Sequence, residues 1–293
     1  MSFFVVRQKY EQLRIDIPGS LFVKHCMDLI DIGVNLMNRA FSMDRELVVQ
    51  RAAQAGVSHL VITGTSEASS REAAGYAARY PHRLYATAGV HPHDVKNCSQ
   101  GTLDALAAIA GQDCVAAIGE CGLDYNRDFS PRDVQREWFE KQLRLAASLG
   151  LPVFLHERDA GEDFTAILKK HIGALKAALV HCFTGSRKDL EAYLDLGCYI
   201  GITGWICDER RGRHLAQLIK IIPEDRLMLE TDSPYLLPRD LAEKVPGTKS
   251  GRNEPCFLPH IARAAAGHLG KDTEALAAQT SANARRFFRI QPS

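Results

Sequence analysis

Residues 31–38 read DIGVNLMN, and they close the apolar run LIDIGV (29–34), a candidate first strand. The residues just after that strand separate two α/β architectures. A doubly wound open sheet normally carries a glycine-rich phosphate loop after an early strand, and DIGVNLMN is no such loop. Working outward, short β-like runs alternate with longer helical ones. The further candidate strands are HLVIT (59–63), LYATAGV (84–90), VAAIGE (115–120), PVFLHE (152–157), ALVHC (178–182), CYIGIT (198–203) and LMLETD (227–232). Between them lie segments of helical period such as REWFEKQLRLAASLG (136–150), where Trp138, Leu143, Leu145 and Leu149 are expected on one inward stripe. Eight strands alternating with helices in 293 residues predict a closed (β/α)8 TIM barrel.

No fixed-period repeat, low-complexity tract or linker divides the chain, so residues 28–293 are expected to form one domain, with 272–289 a helix of basic end RRFFR. Residues 1–27 fit the scheme poorly. They precede the first strand, mix charges with scattered apolar residues and are broken at Pro18-Gly19. They read as an extension outside the barrel, with Met27 an alternative start, or as an extra helix packed on it.

The composition is that of a globular protein, 46% hydrophobic and 24% charged. A net charge of +1 gives no global attraction to nucleic acid or membrane, so such binding needs a local patch. No stretch approaches the roughly 18 apolar residues of a membrane span. The eight cysteines form no CxxC pair and sit singly in apolar runs, which suits reduced thiols in the cytoplasm. The apolar patches FFVV and LFV are cut short at Arg7 and Lys24, unlike a secretory signal.

In a (β/α)8 barrel chemistry gathers where strands end. Here strand three is expected to end at His91, strand four at Glu120, strand five at His156, strand six at His181 and strand eight at Asp232. Each has a bland alternative. Glu120 could cap a helix or pair with Arg127, the histidines could be satisfied core residues, and Asp232 could be a turn residue before Ser233-Pro234. Their convergence on one face favours a site, because such side chains are seldom buried without partners. Alternation then turns Cys121 and Cys182 away from the mouth, which argues against a zinc–thiolate centre. Two imidazoles and two carboxylates suit Mg²⁺, Mn²⁺ or Zn²⁺. A carboxylate between two sites can bridge two ions about 3.5–4 Å apart, with Asp232 placed to orient a water or take its proton.

AGVHPHD (88–94), AIGECGLDYNR (117–127), PVFLHERDA (152–160), HCFTG (181–185), GITGWICDERRG (201–212) and ETDSPYLLPRDL (230–241) together resemble the TatD family of metal-dependent deoxyribonucleases. The likeness runs from about residue 28 to 290, and CDERRG with SGRNEP (250–255) points to TatD proper. The resemblance implies a barrel of the amidohydrolase type and a Mg²⁺-dependent 3′→5′ exonuclease on single-stranded DNA, extending to RNA, in DNA repair or turnover. It implies Glu120, His156 and His181 as metal ligands and Asp232 as a catalytic or ligating group. Many relatives carry a His-x-His pair ending strand one. Here Gly33 and Asn35 stand in those places, so one firm metal is expected and a second only with substrate phosphate.

His91 and His93, flanking Pro92, are not needed to build that position and are assigned to the scissile phosphate, one as proton donor to the leaving oxygen. Arg158, Arg211 and Arg252 are candidate phosphate ligands, with Arg210, Arg213, Arg239, Lys244 and Lys249 nearby in sequence. Trp205, Tyr125, Phe183 and Tyr235 are candidate stacking platforms. A monomer is expected. Two rival readings are an amide or ester hydrolase on the same barrel and a non-catalytic nucleic-acid-binding protein.

Overall fold

The structure is a computed structural model and describes residues 27–210, 212–241 and 245–291, so the expectation for residues 1–26 lies outside the described residues. Eight strands pair in chain order, all parallel: β1 (Leu29–Val34), β2 (Val57–Ile62), β3 (Leu84–Ala88), β4 (Val115–Asp124), β5 (Val153–Arg158), β6 (Ala178–Val180), β7 (Tyr199–Ile202) and β8 (Leu227–Leu229). The chain beyond β8 then returns to β1. The Asp232 N–H donates to the Gly33 carbonyl (2.9 Å), the Asn35 N–H donates to the Ser233 carbonyl (2.8 Å), and Val34 bridges Ser233. Beneath that seam the Asp31 carboxylate accepts from the Thr231 N–H (2.9 Å) and hydroxyl (2.6 Å). The expected (β/α)8 barrel is therefore present.

The strands are apolar on both faces because both are covered. Ile32, Val61, Phe154, Leu179 and Met228 fill the interior, and Phe287 and Phe288 of the helix Thr273–Phe288 join that cluster. Val34, Leu60, Ile62, Ile118 and Leu155 belong to the larger layer that includes the outer helices. Each such side chain contributes roughly 1.5–3 kcal/mol by leaving water. The helix Arg132–Leu149 buries Gln135, Trp138, Phe139, Gln142, Leu143 and Ala146. Leu145 is only partly buried and Leu149 is 40% exposed, so the expected stripe is corrected. The true stripe is closed by Gln142, whose amide bonds both the N–H and the carbonyl of Val90 and so can lie inward.

Several strand ends also differ from expectation. β4 runs past Glu120 to Asp124, pairing Gly122 with His156 of β5. The ladder slips between Ile118 and Cys121, where Gly119 has φ +138°, and a Cβ there would overlap the Phe154 carbonyl. That irregularity places Glu120 inside the mouth rather than at a strand end. His91 stands three residues beyond β3, His181 one beyond β6, and Asp232 three beyond β8. Among the described residues no helix is long and apolar enough to cross a membrane.

Candidate active site

The hub of the barrel mouth is one oxygen of Glu120, a side chain 5% exposed. Its Oε1 lies 2.8 Å from His181 Nε2, 2.9 Å from His156 Nδ1 and 3.3 Å from His91 Nε2. Three imidazoles, one within β5 and two just beyond β3 and β6, thus converge on one carboxylate. The donor atoms of His91, Glu120 and His156 all lie within 4.8 Å of one another, a spacing one cation can span. His156 Nε2 is buried without a hydrogen-bond partner, 3.4 Å from Asp124 Oδ2. Imidazole nitrogens and a carboxylate oxygen this close together form a mixed nitrogen–oxygen set that fits a divalent ion.

The charges are mutually dependent. Burial alone would push the Glu120 carboxyl up, but His181 and His91 reverse this and hold it well below the usual range. Burial likewise favours neutral His181, and the charges of Glu120 and Glu230 overcome it and raise it well above an ordinary histidine. His156 is carried against its burial to about 8 by the adjoining Asp124 and Glu120 carboxylates. His91 goes the other way. Its burial outweighs Glu120 and lowers it to about 4, so it is a neutral imidazole. Asp232 is pushed up to about 7 by burial, with His181 opposing and the Glu120 and Glu230 charges adding to the rise. Its Oδ1 accepts from Asn35 Nδ2 at 2.8 Å.

Two carboxylates of this site carry no role in the sequence reading. Glu230 is fully buried, accepts from the Cys182 N–H (2.6 Å) and lies 3.4 Å from His181 Nδ1. It occupies the space above Gly33, where a Cβ would overlap its carboxylate. Asp124 holds His93 at 2.6 Å and accepts from the Arg127 N–H at 2.8 Å. The available signal was period two for Glu230, which shares a face with Asp232, and an acid on an apolar strand for Asp124.

The mouth opens into a cavity of about 570 Å³ whose lining includes His91, His93, Arg158, Trp205, Asp232 and Tyr235. Arg158 donates to the Thr184 hydroxyl at 2.6 Å. Arg211 and Lys244 lie outside the described residues. Arg252 is corrected: it is buried, donates to Asp44 (2.8 Å) and to Glu254, and is thereby committed to the fold rather than to phosphate. Phe183 is corrected as well, because it is 2% exposed in the outer core. Cys121 is buried there as expected, but Cys182 lines the mouth, since its φ of +46° breaks the strand alternation. Tyr125 lies under the Arg132 guanidinium (4.3 Å) and donates to Asp163 at 2.6 Å.

A parallel eight-stranded barrel with this cluster at its carboxyl mouth defines a metal-dependent hydrolase. More narrowly, the chain belongs to the TatD related DNase family, whose sequence profile matches residues 30–289. It is 52% identical over 262 residues to a 3′-5′ ssDNA/RNA exonuclease TatD of Erwinia tasmaniensis, covering 89% of this chain and 100% of that one. A protein of the same description from Dickeya dadantii is 53% identical over 261 residues, covering 89% and 98%. Among solved structures, a TatD family hydrolase of Entamoeba histolytica superposes with a TM-score of 0.82 at 28% identity, covering 91% and 99%.

Proposed function

We propose that this chain is a Mg²⁺-dependent 3′→5′ exonuclease that hydrolyses phosphodiester bonds in single-stranded DNA and RNA. The observation that carries the reading is the single Glu120 oxygen ringed by three imidazole nitrogens. The relatives named as exonucleases, about half identical in sequence, supply the substrate class.

The hydrogen-bond network supports two separate tasks for the imidazoles. Nδ1 of His91 accepts from the His93 N–H at 3.1 Å, so the proton of the neutral ring is assigned to Nε2. That nitrogen is then a donor, which suits a phosphate or leaving oxygen and not a cation. His181 and His156 have the opposite pattern. Each has one nitrogen facing a second carboxylate, Glu230 or Asp124, and turns the other toward Glu120. Such outer carboxylates orient ligating histidines. Glu120, His156 and His181 would therefore hold the ion, with Asp232 at its edge. When bound, the ion supplies positive charge against the phosphate and lowers the pKa of water.

In the hydrolysis, water oxygen adds to phosphorus and the ester P–O bond breaks. Asp232, raised toward 7 and held by Asn35, takes the proton of the water. His91 Nε2–H is placed to protonate the leaving oxygen. Arg158, with His93, meets the phosphate charge. Gly33 offers no ligand and Asn35 only a neutral amide oxygen, which supports one firm metal position and a second filled only with substrate. All seven described cysteines are free thiols, which supports a reducing, cytoplasmic compartment.

The test is to incubate 3′-labelled and 5′-labelled single strands with the protein in Mg²⁺ or EDTA, alongside His156→Ala. Shortening from the 3′ end, lost in EDTA and in the variant, is expected. Strands left intact in Mg²⁺, with turnover of esters or amides instead, would give the reading to the rival hydrolase.

A further inference from the structure

Two grooves leave the mouth. One, of about 490 Å³, shares Glu157, Arg158 and Thr184 with it. Its described lining holds four carboxylates, Glu157, Asp159, Glu162 and Asp189. Its cations are engaged with these acids: Lys188 pairs with Glu162 at 3.3 Å, and Arg158 lies 3.9 Å from Asp159. A phosphodiester chain laid there meets like charge.

The second groove, of about 500 Å³, shares Asn38 and Tyr235 with the mouth. Its described lining contains the exposed cations Arg39 and Lys249, the buried Arg252 already bonded to Asp44, and no carboxylate; Lys249 Nζ stands 3.6 Å from Asp44 behind it. Tyr235 forms the shared wall. It is a large aromatic side chain 52% exposed, and its hydroxyl is held by Asn38 Nδ2 at 2.9 Å. Its N–H donates to the Asp232 carbonyl at 3.1 Å, so the ring is only three residues from the proposed base. A fixed, exposed ring beside two cations is the arrangement that takes a stacked base and its phosphates without reading sequence.

We infer that the strand lying 5′ to the scissile bond leaves the active site across Tyr235 into the Arg39–Lys249 groove, and that the Glu157–Asp189 groove excludes it. The inference rests on the exonuclease reading and adds a direction and a subsite to it. It makes Tyr235 and Arg39 determinants of strand length preference, because a dinucleotide ends before the groove and a decamer fills it.

Two measurements test it. In Mg²⁺, kcat/KM is compared for a thymidine decamer and a dinucleotide. Tyr235→Ala and Arg39→Ala are each expected to lower the decamer-to-dinucleotide ratio by roughly tenfold, the scale of one lost base stack or phosphate contact. Tyr235→Phe, which keeps the ring, is expected to restore most of that ratio, whereas Lys188→Ala in the other groove leaves it as in the wild type. In EDTA, decamers bearing 5-iodouracil at the third or fourth nucleotide from the 3′ end are irradiated with the full chain, with crosslinks expected at Tyr235. Crosslinks confined to residues 184–189, or an unchanged ratio in Tyr235→Ala and Arg39→Ala, would overturn the inference. Absence of Mg²⁺-dependent shortening by the wild type is the separate outcome that removes the exonuclease reading itself.

Discussion

Replacing Glu230 by glutamine isolates the contribution of a carboxylate that touches no substrate. The side chain is fully buried and serves two donors, the Cys182 N–H at 2.6 Å and His181 Nδ1 at 3.4 Å. Glutamine keeps the shape but has one acceptor oxygen, so one donor must face an amide NH₂. An unsatisfied buried donor costs about 1–3 kcal/mol, which sets the expected loss of stability. The second effect is on the ion. Losing the outer carboxylate of a ligating histidine typically lowers metal affinity about 10–100-fold, or roughly 1.4–2.7 kcal/mol. A third effect concerns Asp232, whose elevation is partly due to the Glu230 charge; its pKa should fall in the variant. Calorimetric titration of Glu230→Gln with Mn²⁺ and thermal unfolding in EDTA read the first two separately. A metal Kd within twofold of wild type, together with an unchanged Tm, would refute the reasoning, because the Glu230 carboxylate would then neither support His181 nor hold the Cys182 N–H.

Three further outcomes rest on particular contacts. His91→Ala should lose about 10²–10⁴-fold in kcat while its Mn²⁺ affinity stays within a few-fold of wild type, since Nε2 is a donor rather than a ligand; loss of the metal instead would reassign it as a ligand. Arg252→Ala removes one of the two guanidiniums that bond Asp44 and the fully buried Glu254 and leaves Arg51 on both, so urea unfolding should show a loss of about 1–3 kcal/mol, and an unchanged urea midpoint would contradict its place in the fold. The Asp31 carboxyl is pushed up to about 8 by burial, against its hydrogen bonds from Thr231. The native state therefore holds that proton more tightly than the unfolded chain. The associated stability is complete below about pH 4 and is lost as pH rises toward 8. Asp31→Asn should show a shallower decline in urea midpoint across that window, and an identical slope in both proteins would contradict the assignment.

Much of this was legible in linear order because barrel strands are local. All eight strand positions can be read from apolar runs, since a strand covered on both faces needs no partner information to be recognised. Glu120, His156, His181 and Asp232 stand out the same way, as polar residues closing apolar runs. Where the reading failed, the deciding partner was remote. Arg252 looked like a phosphate ligand until Asp44, 208 positions away, took its guanidinium. Phe183 and Leu149 were misplaced because one residue of drift on a loop or helix exchanges buried and exposed faces. Cys182 entered the mouth through a left-handed φ that no alternation rule anticipates.

The sequence by itself determined the barrel, its family and the residue types at its mouth, because period and motif order are properties of neighbours along the chain. Only the tertiary structure decided which nitrogen does what. The His91 tautomer depends on the His93 N–H, the orientation of His181 on Glu230 just beyond β8, and the place of Glu230 on the missing side chain of Gly33. Protonation and hydrogen bonding are set by groups within a few ångströms in space, and residues 33, 120, 181 and 230 become neighbours only when the barrel closes.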